Sequence, residues 1–206
     1  MKVLVFGATG KTGSLVVDRA LAKGHDVTVL ARDPAKFVRA NVRVLTGDAT
    51  READVLTAMI GQQAVIDSIG GTTPYKATQL ETTSVRNIIA AMRTESVPRL
   101  IVVSMMGIGE SRAQSPAWYK YLLMPTFLHG STPDKTNMEA AVTASGLDYV
   151  IARPPILKDG PATNHINILT PNQTGHAITR SDLANFLVDQ LETNANLNRA
   201  VTIVNT

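Results

Sequence analysis

The 206-residue sequence contains no cysteine, which excludes disulfides, thiolate metal sites, iron–sulfur clusters and a cysteine nucleophile. Aromatic residues are scarce, at 4%, with a single tryptophan. No apolar run approaches the roughly 20 residues that a membrane-spanning helix needs. Repeats, low-complexity segments and linkers are missing too. Charge of one sign does not dominate: 20 Lys and Arg against 17 Asp and Glu leave a formal +3, scattered along the chain. That scatter supplies no basic stripe for nucleic acid. His25, His129, His165 and His176 lie too far apart for a metal-ligand spacing, so no metal site is read. Met1-Lys2 leads into a β-like segment rather than a cleavable leader, and a cytoplasmic protein is expected.

What the sequence does contain is alternation. Short β-branched runs at 3–6, 26–30, 42–45, 64–68, 100–104 and 149–152 are separated by longer amphipathic stretches. This is the pattern of βαβ units around a parallel sheet. Leu15, Val16, Arg19, Ala20 and Leu21 recur at helical spacing before Gly24, and Val85, Ile88, Ile89 and Met92 mark a second helix face. A third helix is predicted from a Ser131 or Thr132 cap to Ala144. A fourth runs from Ser181 to Leu191, with Asp182 capping or bracing it, and a closing strand follows at 200–205. The rhythm breaks at 107–130, an irregular stretch holding the tryptophan and two of the four tyrosines. Long connections of this kind are usually binding loops or lids.

One stretch carries chemistry. In VLVFGATGKTGSLVV, residues 3–17, Gly10-Lys11-Thr12 looks like the close of a nucleotide-hydrolase phosphate loop. That loop needs a glycine five residues before Gly10, and Val5 stands there. What remains is Gly7-x-x-Gly10-x-x-Gly13 between a strand and a helix, the context of a dinucleotide-binding turn. Gly7 permits the sharp turn, Gly10 lets the backbone approach a pyrophosphate, and Gly13 lets helix and strand pack closely, with the helix N-terminus facing the negative charge. Lys11 and Thr12 become auxiliary phosphate contacts. The second strand ends Leu30-Ala31-Arg32-Asp33. NAD enzymes usually hold a ribose with a carboxylate there, whereas Arg32, supported by Lys36, suits a 2′-phosphate, so NADPH is expected over NADH. A solvated Arg32-Asp33 turn is the alternative.

These stretches, with Gly47-Asp48, Val85-Arg86-Asn87-Ile88, Ser145-Gly146-Leu147-Asp148-Tyr149, Arg153-Pro154-Pro155 and Ser181-Asp182-Leu183-Ala184, resemble the atypical short-chain dehydrogenase/reductase family. Within it they are most similar to the NADPH-dependent flavin reductase and biliverdin-IXβ reductase branch. The resemblance implies a single-domain α/β Rossmann fold over 1–206, a doubly wound, mostly parallel sheet with helices on both faces and a substrate-side lid at about 105–130. It implies that Gly7, Thr9, Gly10, Lys11, Thr12 and Gly13 wrap the pyrophosphate, that Arg32 and Lys36 hold the 2′-phosphate, and that Asp48 and Ala49 border the adenine. Ile69, Gly70 and Gly71 should line the adenosine ribose and bridge. Ser104 and Met105 should lie beside the nicotinamide, Lys135 at its ribose, and Pro154, Pro155 and Ile156 along its carboxamide.

The chain departs from the family in one respect. A typical member uses a serine and Tyr-x-x-x-Lys, the lysine lowering the tyrosine pKa so that the phenol can exchange a proton with substrate. Here the spacing that ends in Lys135 begins at Ser131, and Met105 stands where the serine is expected. Tyr119 and Tyr121 are the phenols nearby in sequence. Without the relay, hydride transfer to a flat conjugated acceptor fits better, with the proton taken from water. The acceptor is expected to be free flavin (FMN, FAD or riboflavin), or a biliverdin-type tetrapyrrole, with flavin a substrate rather than a prosthetic group. Ser104, Met105 and Lys135 then position rather than relay. Met105, Met106, Trp118, Tyr119, Phe127 and His129, with Tyr121 and Met124, form the expected substrate wall. The competing reading is a regulatory protein that senses NADP(H) without catalysis. A monomer is expected, with a small molecule as its partner and neither nucleic acid nor membrane.

Overall fold

The computed structural model describes residues 1–37, 39–71 and 73–205. Strand β1 (Lys2–Phe6) is apolar because both its faces are covered: Val3, Leu4, Val5 and Phe6 are fully buried. Strand β2 (Asp26–Ala31) pairs with it in parallel on one side and β4 (Ala64–Asp67) on the other. Beyond β2 lies β3 (Val42–Thr46). Beyond β4 lie β5 (Arg99–Val103), β6 (Asp148–Arg153) and β10 (Arg199–Asn205), all parallel. Strand β8 (Ile166–Ile168) closes that edge antiparallel to β10, and β7 (Ile156–Lys158) and β9 (Ala177–Thr179) form a separate parallel pair.

The order β3-β2-β1-β4-β5-β6-β10-β8 is that of a doubly wound Rossmann fold, and it reverses between β1 and β4. The crevice at such a switch point, outside the carboxyl ends of the strands, is where open parallel sheets bind ligands. Helices cover both faces, as alternating side chains require. On one face α1 (Lys11–Ala22) and α6 (Arg180–Asp189) lay Val16, Val17, Ala20, Leu183 and Leu187 over Val3, Val5 and Val29. On the other, α2 (Glu52–Met59), α3 (Leu80–Thr94) and α5 (Ser131–Thr143) lay Val55, Met59, Val85, Ile88, Met92 and Met138 over Leu4, Phe6, Val65 and Val102. Each such side chain contributes about 1.5–3 kcal/mol by leaving water.

The structure corrects the sequence expectations in places. Helix α2 has no counterpart among them, although Val55, Ala58 and Met59 are buried at helical spacing. Neither Ser131 nor Thr132 caps α5. Its cap is Gly130, and both hydroxyls instead donate backwards to the Leu128 carbonyl. Helix α6 begins at Arg180, capped by the Thr179 hydroxyl, which accepts from the Asp182 N–H at 3.1 Å. Asp182 does brace this end, accepting from the Thr163 and Asn164 backbone and from Asn205. Burial works against its charge, but the Thr163 N–H, the Thr179 and Thr163 hydroxyls and the Asn164 N–H, all donating to it, hold its pKa at about 2.

The stretch 107–130 is not irregular. It folds into a 3-10 turn (Gly109–Arg112), a π-type turn (Tyr119–Leu123) and α4 (Met124–Thr126). Ile108, Tyr119 and Met124 turn inward onto Met105 and Met106 in a small core of their own, leaving Trp118, Tyr121, Leu122 and Phe127 exposed. Among the described residues no helix is long and apolar enough to cross a membrane.

Candidate active site

A cleft of about 720 Å³ opens at the switch point. Its base is the turn after β1. Gly7 has φ +75°, where a side chain is strained, and a Cβ there would lie 2.7 Å from the Ser68 backbone. A Cβ on Gly13 would overlap the Gly7 carbonyl oxygen, so α1 meets the turn at a distance that only glycine allows. The Gly10 N–H donates to that same carbonyl at 2.9 Å. Helix α1 therefore starts at Lys11 with its first N–H groups toward the cleft, a ready anion site. The Ser68 hydroxyl donates to the Phe6 carbonyl at 2.8 Å and ties the ends of β1 and β4 together beneath it.

One wall comes from the ends of β2 and β3. Arg32 opens on the cleft, with Asp48 and Ala49 beside it. Asp33 does not: its carboxylate accepts from the Ala35 N–H at 3.2 Å and pairs with Lys36 at 3.4 Å, capping the turn Pro34–Lys36. Lys36 is thus engaged by Asp33 and lies outside the cleft lining, unlike the placement expected from sequence. The Thr50 N–H and hydroxyl, at 2.9 and 2.8 Å, hold the Asp48 carboxyl below its usual range despite partial burial, and the Arg32 and Arg51 charges add to this.

The other wall is the backbone at 69–71 after β4, where Ile69, Gly70 and Gly71 line the cleft as expected from sequence. Behind it sits a charge cluster that the sequence did not reveal. The Lys135 ammonium lies 3.0 Å from Glu81 Oε1, with Glu81 buried and Lys135 largely so. Asp134 fixes this geometry, because its carboxylate accepts from the Glu81 and Thr82 N–H groups at 3.0 and 2.8 Å, capping α3 from α5. Burial opposes the Asp134 charge, but these hydrogen bonds keep its pKa below the usual value.

Asp67, fully buried at the end of β4, accepts from the Ile69 N–H at 3.0 Å. Burial pushes its carboxyl from 3.8 up to about 7, with the Lys135 charge opposing the rise and Glu81 adding to it. A carboxyl raised on folding favours the folded state at low pH and loses that contribution as pH climbs from 3.8 to about 7. Asp67→Asn should therefore flatten this loss, by roughly 1 to 4 kcal/mol, in urea unfolding measured across that window.

Two further groups reach the cleft from the far side of the sequence. Leu157 and Arg180 line it, and Asp159 accepts from both Lys11, at 2.7 Å, and Arg180. Asp159 and Lys11 are exposed and Arg180 is half-buried, so the pairs add little to stability, but they place two cations at the rim.

The structure divides the expected substrate wall. Met106 is fully buried and accepts, through its carbonyl, the Tyr119 hydroxyl at 3.2 Å; both belong to the small core rather than to a wall. Burial pushes the Tyr119 hydroxyl up to about 12, the opposite of an activated phenol. Met105 is almost buried in the same cluster. Trp118, Phe127 and His129 are not walled in: Trp118 and Phe127 are exposed, Phe127 lies 6.3 Å from the Tyr75 ring, and His129 Nδ1 lies 2.7 Å from the Thr126 carbonyl at the surface. Ser104 is buried, its hydroxyl without a hydrogen-bond partner among the described residues. Pro154 and Pro155 are buried, and Leu157 rather than Ile156 reaches the cleft.

A sequence-family model described as NAD(P)H-binding matches residues 7–194, nearly the whole chain. The chain belongs to the NAD(P)H-binding family. This NAD(P)H-binding protein is 31% identical over 209 residues to an uncharacterized chloroplastic protein of Arabidopsis thaliana, a match covering 92% of this chain and 71% of that one. It is 26% identical over 209 residues to the Photosystem II assembly factor Ycf39 of Guillardia theta, covering 99% of this chain but only 65% of the relative. Among solved structures, ChuY, an anaerobillin reductase from Escherichia coli O157:H7, superposes with a TM-score of 0.82. The two are 26% identical, covering 100% of this chain and 97% of ChuY. The resemblance to atypical short-chain dehydrogenases and the biliverdin reductase branch agrees with these neighbours. The glycine cradle and the α1 terminus fit a dinucleotide pyrophosphate: Gly7 and Gly13 let β1, β4 and α1 close on one another without side chains between them, and Gly10, Lys11 and Thr12 at the start of α1 line the cleft.

Sequence reasoning missed Asp67, Glu81, Arg180 and Leu157. Asp67 carried one usable signal, a carboxylate ending an otherwise apolar strand. Arg180 carried none, because its place depends on how the β7–β9 pair folds beside α1.

Proposed function

We propose that this protein is an NADPH-dependent reductase that passes hydride to a planar conjugated acceptor, free flavin or a linear tetrapyrrole. The observation that carries the reaction type is at Lys135: the residue four before it is Ser131, whose hydroxyl donates back to Leu128, so the motif position that would hold the phenol holds none. Alcohol–ketone chemistry needs that phenol. Reduction of a conjugated ring does not, because the acceptor delocalises the incoming charge and takes its proton from water.

NADPH supplies the hydride when bound. The protein's part is to hold it: the α1 N-terminus and Lys11 meet the pyrophosphate, Arg32 the 2′-phosphate, and Lys135 the second ribose. NADPH is favoured over NADH because Arg32 faces the cleft while Asp33 is spent on its own turn. Arg32→Ala should weaken NADPH binding roughly ten- to a hundredfold, the loss of a charged hydrogen bond of about 1.5–3 kcal/mol, and leave NADH binding nearly unchanged. Fluorescence titration with both cofactors checks this; equal losses would show that Arg32 reads no phosphate.

The tetrapyrrole arm draws support from ChuY, whose description as an anaerobillin reductase concerns that protein. A screen of NADPH oxidation with FMN, FAD, riboflavin and biliverdin tests the function, and turnover with at least one is expected. A non-catalytic NADP(H) sensor is the second reading, favoured by the same missing phenol; it predicts NADPH binding with no acceptor reduced.

A further inference from the structure

Glu81 and Asp67 have no part in the reaction as proposed, yet both are bonded to the cleft wall. Glu81 Oε1 takes the Lys135 ammonium at 3.0 Å and also the N–H of Gly71 at 3.4 Å, while its Oε2 is buried without a partner among the described residues. Asp67 takes the N–H of Ile69 in the same wall. The charged groups acting on Asp67 are Lys135 of α5 and Glu81 of α3. Asp134, the other acid at this end of α5, is committed to capping α3. Glu81 faces the ammonium directly, and the buried Asp67 carboxyl lies within reach of both their charges, so that one cation serves two largely buried acids.

We propose that Glu81 is the positioning residue for Lys135 and that Asp67 is its proton store: when a cofactor draws Lys135 toward the cleft, the Asp67 carboxylate takes up a proton from solvent. One carboxylate becomes a carboxylic acid, replacing the positive charge that has moved away. The inference rests on the reading of Lys135 as a cofactor contact. The high pKa of the Asp67 carboxyl, about 7, places the exchange in the neutral range. Cofactor affinity then falls as pH rises, by at most about tenfold per pH unit for one linked proton.

Calorimetry of NADPH binding in buffers of different ionisation enthalpy, between about pH 7 and pH 8, reads this directly. The wild-type protein should take up a substantial fraction of a proton, and Asp67→Asn and Glu81→Gln should each at least halve it. The amide introduced by Asp67→Asn still offers a carbonyl oxygen to the Ile69 N–H, so that variant keeps the wall's hydrogen bond, and circular dichroism confirms that both variants fold. Protons released by the 2′-phosphate at Arg32 enter all three measurements equally and cancel in the differences. Uptake in both variants equal to that of the wild type overturns the inference while leaving NADPH binding intact. A wild-type protein that binds no NADPH overturns the Lys135 reading itself, and this inference with it.

Discussion

Gly10→Val should abolish useful NADPH binding and leave the protein folded. The three glycines of the turn differ in what they tolerate. Gly7 and Gly13 cannot carry a Cβ without moving backbone, since the added atom would lie 2.7 Å from Ser68 in the first case and overlap the Gly7 carbonyl in the second. Gly10 can: its Cβ would stand 3.2 Å from the Gly7 carbonyl, which a shift of a few tenths of an ångström relieves. The added methyls then occupy the cleft that Gly10 lines, in front of the first N–H groups of α1. Overpacking by up to about 3 kcal/mol translates into an affinity loss of about a hundredfold. Fluorescence titration with NADPH alongside far-ultraviolet circular dichroism separates the two effects. Gly13→Val, by contrast, should lose folded signal. Unchanged NADPH affinity in folded Gly10→Val would remove the glycine turn from the cofactor site.

Arg153→Ala should destabilise the fold by about 3–5 kcal/mol, the cost of leaving a buried ion unpaired. Arg153 ends β6 with its side chain almost fully buried. Its guanidinium meets Glu139 of α5 through Nε, at 3.0 Å to Oε1, and Nη2, at 2.6 Å to Oε2, and reaches Glu110 through Nη1 at 2.6 Å. One side chain thus fastens α5 and the 3-10 turn at Gly109–Arg112 to the sheet. Removing it strands the buried Glu139 carboxylate and frees the base of the 107–130 segment. Arg153→Lys should recover only part of the loss, because an ammonium cannot reproduce the forked pairing. Urea unfolding monitored by the single tryptophan measures both; a loss below about 1 kcal/mol for Arg153→Ala would show that the buried network contributes little.

The sheet was legible because its central strands are buried on both faces, which writes unbroken apolar runs such as that of β1 into the sequence. The glycine turn was legible because its spacing sits between a strand and a helix. The placement of Met106 and Tyr119 was not. Sequence gives the apolar content of 107–130 but not its orientation, and the π-type turn rotates Tyr119 inward while leaving Tyr121 and Leu122 outside. Helix α2 escapes a sequence reading because it has only eight residues and no side-chain cap to announce it. The Asp67–Glu81–Lys135 cluster was out of reach for a different reason. It joins three elements separated by long stretches of chain, and the hydrogen bonds of Asp134 to α3 are what bring Glu81 and Lys135 together.

Hydride transfer from NADPH to a planar acceptor is the central claim. Anaerobic mixing of the protein with equimolar NADPH and FMN, following the near-ultraviolet band of NADPH and the visible band of the flavin together, tests it most directly. Both bands should bleach in step, at a rate set by protein concentration and abolished in Gly10→Val. NADPH that binds tightly while both bands persist, with FMN and equally with biliverdin, would contradict it.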